Sequence, residues 1–163
     1  MTPQRILVTG GLLLIFLGIC YGLIHAGFIV NPLREARVER MQLALDYTNR
    51  NEMERAFGYL KEASDIQLLW ERNMDAHTHI TIFGFQSLLF ASILPNINLA
   101  QRLLLILSWL LVLGGLLLPT GVVLEALGFE KPGFLMALLG GGWIFLATFG
   151  FLAGAVRGLF RAK

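Results

Sequence analysis

The chain has 163 residues, of which 56% are hydrophobic and only 15% charged. One soluble core of this length could not bury that much apolar surface, and a net charge of +2 is too small to mark a nucleic-acid binder. The single cysteine, Cys20, excludes an intramolecular disulfide and any multi-cysteine metal site.

Four runs meet the requirement of about 20 apolar residues for crossing the hydrocarbon of a bilayer. They are residues 6–30, 76–94, 103–124 and 133–156. The expected fold is all-α: an integral membrane four-helix bundle, 1–163 as one domain, with an extramembrane amphipathic helical loop at 31–75 between spans one and two. The first run has no small-residue cleavage site followed by polar sequence, so it reads as a retained span. The second run is the shortest, and reaching spanning length requires His77–His79 in its first turn.

The loop is patterned as helix. Asn31-Pro32 resembles a helix start, with Asn as N-cap and Pro at the first helical position. Val38, Met41, Leu45 and Thr48 follow at helical spacing, and Asn49–Asn51 breaks the run. Met53, Ala56, Phe57 and Leu60 begin a second apolar face. Ser64 with Gln67 suggests a capping box for a third piece carrying Ile66, Leu69 and Trp70. These faces suit either packing on the chain's own spans or docking to a partner protein.

Orientation follows from the cations. With four spans, both termini and the 95–102 loop share a side that carries Arg5, Arg102, Arg157, Arg161 and Lys163 and no acid. In the 31–75 loop, Arg34, Arg37, Arg40, Arg50, Arg55, Lys61 and Arg72 are outnumbered by nine acids from Glu35 to Asp75. Both termini are therefore expected in the cytoplasm, the protein in an inner (cytoplasmic) membrane, and the long loop outside.

Spans three and four contain no charged side chain. Pro119 is expected to bend span three. In span four Gly142 precedes Gly150, Gly154 and Gly158, the last three at four-residue spacing, which permits close helix approach. That stripe suits packing inside the bundle or against other membrane subunits, including a second copy. No Gly-rich phosphate loop, Ser/His/Asp pattern or internal repeat occurs, and the near absence of polar groups in the cytoplasmic half argues against a transporter.

The three histidines carry the functional question, because an ionisable residue at membrane depth points by default to function. His25 lies about one turn from the end of span one, while His77 and His79 open span two, so all three reach one leaflet. On a helix His77 shares a face with Thr81, Gly84, Leu88 and Ala91, whereas His79 points nearly opposite, with Ile82, Phe83, Gln86 and Phe90. His25 lies on a stripe with Gly22, Gly18 and Gly11. A flat porphyrin between helices requires such a pairing of imidazole and glycine, which suggests haem b held by His25 and His77, with His79 as the substitute ligand and Gly22 and Gly84 beneath the ring. Glycines at this spacing equally suit plain helix contact. If residues 75–79 are extended instead, Asp75, His77 and His79 fall on one side. With His25 they form an N/O set for copper, zinc or iron, with Glu71 as an outer-shell acid.

The string His77-Thr78-His79, followed by Gly84-Phe85, resembles the H-x-H-x-x-x-x-G-[FW] pattern of small bacterial four-span proteins that look distantly like pieces of the haem–copper oxidase superfamily. The resemblance covers about 20 residues, at the second span. It implies a bacterial inner-membrane protein whose histidine pair binds haem or metal for electron transfer. Here Ile80-Thr81-Ile82 replaces the frequent Asn-Leu-Leu, and three histidines are too few for both a haem and a separate three-histidine copper site. A haem-only or single-metal centre is what the resemblance leaves. The alternative is an accessory or scaffold subunit of a larger membrane complex, without a cofactor of its own.

Overall fold

A computed structural model describes residues 1–161; Lys163, one of the cations counted for orientation, lies outside them. The described residues are helical throughout apart from short connections. They form α1 (Pro3–Ile24), a π-helical turn (His25–Ile29), α2 (Val30–Asn49), α3 (Met53–Ile93), a 3-10 turn (Leu94–Asn96), α4 (Gln101–Ala126) and α5 (Glu130–Arg161). Four continuous helices, Pro3–Asn49, Met53–Asn96, Gln101–Ala126 and Glu130–Leu159, are long and apolar enough to cross a membrane.

Two sequence expectations about the loop need correction. Asn31-Pro32 does not start a helix, because α1 runs through the π turn into α2 as one helix. Pro32 has no N–H to return to the Phe28 carbonyl and its ring crowds that oxygen. The turn just upstream is widened: the Val30 N–H reaches back five residues to His25 O, the signature of a π turn. Ser64 and Gln67 likewise cap nothing, since α3 is unbroken from Met53 to Ile93. Between them lies no proline and no residue at positive φ, so the helix has no reason to stop.

The predicted break at Asn49–Asn51 is present, with an identifiable mechanism. Asn51 adopts φ 59, the left-handed conformation that asparagine tolerates better than most side chains. Its N–H donates to Thr48 O at 3.0 Å, and the Glu52 N–H donates to Tyr47 O at 2.9 Å, the bond pair of a Schellman end. Gly128, at φ 90, ends α4 in the same way, with Gly128 N–H to Glu125 O at 3.0 Å and Phe129 N–H to Leu124 O at 2.9 Å.

The described residues divide into two compact units, Met1–Cys20 with Asp75 onward, and Tyr21–Met74. The first is a four-helix bundle. Its core joins Leu7 of α1, Phe90 and Ala91 of α3, Leu104, Leu107 and Leu111 of α4, and Ile144, Ala147 and Phe151 of α5. Phe90 and Phe151 stack with ring centroids 4.7 Å apart. The outside of this unit also carries large apolar side chains: Leu12, Phe16, Phe85, Leu89, Ile106, Phe145 and Phe149 are all exposed.

Helix approach in the bundle is set by glycine. A Cβ at Gly114 would lie 2.8 Å from Gly140 O, and one at Gly150 would lie 2.7 Å from the Leu107 side chain. A Cβ at Gly154 would meet Ile97 and Leu99 at 2.6 Å, and Gly158 abuts Asn96 O. Gly150, Gly154 and Gly158 are therefore packed on the chain's own α4 and α3–α4 connection, whereas nothing lies within 4 Å of a Cβ at Gly142. Pro119 is buried, and α4 continues through it to Ala126.

The second unit is a helical hairpin of residues 21–49 and 53–74. Its seam buries small residues, Ala44, Ala56 and Ala63. Arg40 Nε pairs with Glu62 Oε2 at 3.0 Å, and Tyr47 stacks on Tyr59 at 5.4 Å. The large apolar side chains point outward: Val38, Met41 and Leu45 from α2, and Met53, Phe57, Leu60 and Leu68 from α3.

Candidate functional site

Residues 75–79 lie in the middle of α3 and are helical, not extended. Asp75 and His79, four residues apart, consequently share one face of the helix while His77 points nearly opposite, so the three do not converge on one side. Among the described residues no three His, Cys, Asp or Glu side chains gather in a way that could hold a metal ion.

His77 is partly buried, and its Nδ1 lies 2.8 Å from Gly18 O on α1. A carbonyl oxygen can only accept, so Nδ1 carries a proton, and in the neutral ring Nε2 keeps its lone pair. His79 makes the corresponding local bond, Nδ1–H to Asp75 O at 2.8 Å, and its ring stacks on Phe83 at 5.8 Å. Both imidazoles thus present Nε2 as the acceptor or ligand atom, with the other nitrogen fixed by a backbone carbonyl. That is the outer-shell arrangement common to ligating histidines.

The small face that sequence reading assigned to His77, Thr81 and Gly84 is a helix seam. A Cβ on Gly84 would lie 2.6 Å from Ile15 Cγ1 and 2.8 Å from Gly11 O. A Cβ on Gly11 would lie 2.8 Å from Gly84 O, and Gly18 abuts Thr81 Oγ1. The two backbones touch along the stripe, so a porphyrin lying flat on Gly11, Gly18 and Gly84 does not fit between α1 and α3. Of the two meanings the glycine stripe allowed, helix contact is the one these distances match.

His25 and Gly22 belong to the Tyr21–Met74 unit, whereas His77, His79, Asp75 and Gly84 belong to the other. His25 is buried and opens the π turn. Such turns within α-helices are frequent at functional sites. Glu71, considered as an outer-shell acid, accepts a hydrogen bond from Gln67 Nε2 at 2.7 Å.

Three polar contacts escaped sequence reading. Tyr21 Oη donates to Asn73 Oδ1 at 2.6 Å, and Asn73 Nδ2 donates to Leu69 O at 2.8 Å. In the bundle Gln86 Nε2 donates to Thr148 Oγ1 at 2.7 Å, joining α3 to α5. Only the presence of Gln86 and Thr148 in otherwise apolar runs could have signalled the last pair, since an amide in such a setting needs a partner.

No protein-family model, curated protein or solved structure matches this chain.

Proposed function

We propose that this protein is an accessory or scaffold subunit of an inner-membrane complex. Four spans anchor it, both termini are cytoplasmic, and the α2/α3 hairpin engages another protein of the same membrane. The observation that carries this reading is the inverted packing of the hairpin. Its buried apolar residues are the alanines Ala44, Ala56 and Ala63, while Met41, Leu45, Phe57, Leu60 and Leu68 face outward, 43% to 66% exposed. Burying a side chain of that size stabilises by about 1.5–3 kcal/mol, so several such residues supply ample driving force for a partner. The apolar exterior of the bundle and the acid-free cation set on one side support the membrane placement.

The test is size in mild detergent. The wild-type chain should run in an assembly larger than one subunit. The triple variant M41S/L45S/F57S should keep its helical circular dichroism but run as a single chain. A stable lone monomer for the wild type would overturn the proposal.

A second reading is favoured by the Nε2 lone pairs of His77 and His79: one imidazole supplies an axial ligand to a haem b iron, or a ligand to copper, zinc or iron, at the edge of α3. The remaining ligands would come from a partner, and the protein's part would be ligation and a dry setting for electron transfer. Oxidised and dithionite-reduced visible spectra decide it for haem, and elemental analysis decides it for a metal ion. Under this reading H77A or H79A removes the bound group; a colourless, metal-free wild-type complex would end it.

A further inference from the structure

The helical hairpin contains a cavity of about 170 Å³ lined by Val30, Leu33, Arg34, Arg37, Ile66, Gln67 and Trp70. Its polar groups do not satisfy one another. Trp70 Nε1 and Gln67 Oε1 are buried without a hydrogen-bond partner, a costly condition for groups of this kind. Arg34 and Arg37, one turn apart on α2, form no ion pair among the described residues, in contrast to Arg40, Arg50 and Arg55. Arg34 also borders an open depression with Glu35 and Glu39 yet bridges to neither. Glu71 holds the Gln67 amide through Nε2 but does not line the cavity.

The chemistry required of an occupant follows from these groups. Two guanidinium forks and one indole N–H call for an anion with several acceptor oxygens, a phosphate ester above all. Gln67 Oε1 calls for a hydroxyl donor on the same molecule, and Val30, Leu33 and Ile66 offer an apolar wall. The volume has room for roughly five or six water-sized groups, which suits a phosphate head. In sequence Val30 closes the first apolar run and Trp70 stands six residues before Ala76, where the second begins. Arginine and tryptophan flanking spans are the usual anchors at the headgroup level.

The geometry points to a binding site for the anionic head of a membrane phospholipid, with phosphatidylglycerol as the species whose phosphate and glycerol hydroxyls match the donors and the acceptor. This site rests on the membrane placement proposed above and not on the identity of any partner protein.

The test uses the full chain purified in detergent, titrated separately with phosphatidylglycerol, phosphatidylcholine and inorganic phosphate, and read by native mass spectrometry and by thermal melts. Phosphatidylglycerol should bind and raise the melting temperature, with phosphatidylcholine well behind. The variant R34Q/R37Q should lose roughly thirtyfold in affinity for phosphatidylglycerol, about a factor of five per arginine, with unchanged circular dichroism. R102Q, an exposed arginine on the opposite side of the membrane, should bind as the wild type does. W70F should weaken binding less than the arginine pair. Equal affinity for the two lipids, or no loss in R34Q/R37Q, overturns the site. Saturation by inorganic phosphate without a preference for the lipid overturns the lipid assignment. Resistance of the wild-type chain to carbonate extraction from membranes is measured in parallel: a chain that washes off defeats the membrane placement, whereas a chain that stays but ignores phosphatidylglycerol defeats only this site.

Discussion

Glycine and buried amide chemistry decide most at the scale of single residues. At Gly84 the α1–α3 seam leaves no room for a side chain, since Ile15 and the Gly11 carbonyl already stand within 3 Å of a Cβ. Gly84→Leu should therefore lower stability by about 1–3 kcal/mol through overpacking, seen as an earlier thermal transition in detergent. Gly142 has nothing within 4 Å of a Cβ, so Gly142→Ala should instead stabilise α5 by about 0.5–1 kcal/mol. If both substitutions shift the melt equally, the seam is not as tight as described. Asn73 offers a second test. Tyr21→Phe leaves the buried Asn73 Oδ1 without its donor, and a loss of about 1–3 kcal/mol is expected; a neutral outcome would show that Asn73 finds another partner.

At the scale of helices, the ends are set by local chemistry and the continuity by its absence. Asn51 and Gly128 end α2 and α4 because each accepts a positive φ. Asn51→Val places a β-branched residue in that conformation, a change worth roughly 1–2 kcal/mol, whereas Asn51→Gly should be neutral or slightly stabilising. Denaturant midpoints of the two variants against wild type check this, and the order should be Gly at or above wild type, then Val. The break at Asn49–Asn51 was legible because asparagine clusters carry turn geometry in themselves. The junction at Asn31-Pro32 was misread because the same dipeptide that opens a helix can also sit inside one, once the turn before it widens into a π turn. Ser64 and Gln67 misled for a related reason: a capping box has meaning only where the chain already leaves the helix, and nothing near Ser64 makes it leave.

For the whole molecule, the decisive feature is where apolar surface remains uncovered. The bundle's outward leucines and phenylalanines agree with lipid contact, and the hairpin's outward Met41, Leu45, Phe57 and Leu60 agree with a protein partner. If both termini are cytoplasmic, a reporter enzyme active only in the cytoplasm should work when fused after Lys163, and one active only outside should work when inserted at Asn49–Asn51. The opposite pattern would invert the topology and place the Arg34/Arg37 cavity in the other leaflet. Both assignments rest on the same cation asymmetry, so one pair of fusions tests them together.

The sequence by itself determined the all-helical class, the four apolar runs, the amphipathic character of the 31–75 segment and its break at Asn49–Asn51. Each of these is a local property of composition or period that survives whatever the chain packs against. Only the tertiary structure decided which faces meet. The Gly11, Gly18 and Gly84 stripe could have faced a flat cofactor or a neighbouring helix, and periodicity is the same in both cases; the contact of Gly84 with Ile15 separates them. The Gly150, Gly154 and Gly158 stripe could have served a partner, and it seats Leu107, Leu99 and Asn96 of its own chain. The hairpin's large apolar residues could have been its buried ones, and among its apolar residues only alanines are. The cavity at Arg34, Arg37, Gln67 and Trp70 is likewise a tertiary feature, because its two walls come from helices whose lining residues stand about thirty or more positions apart in the chain.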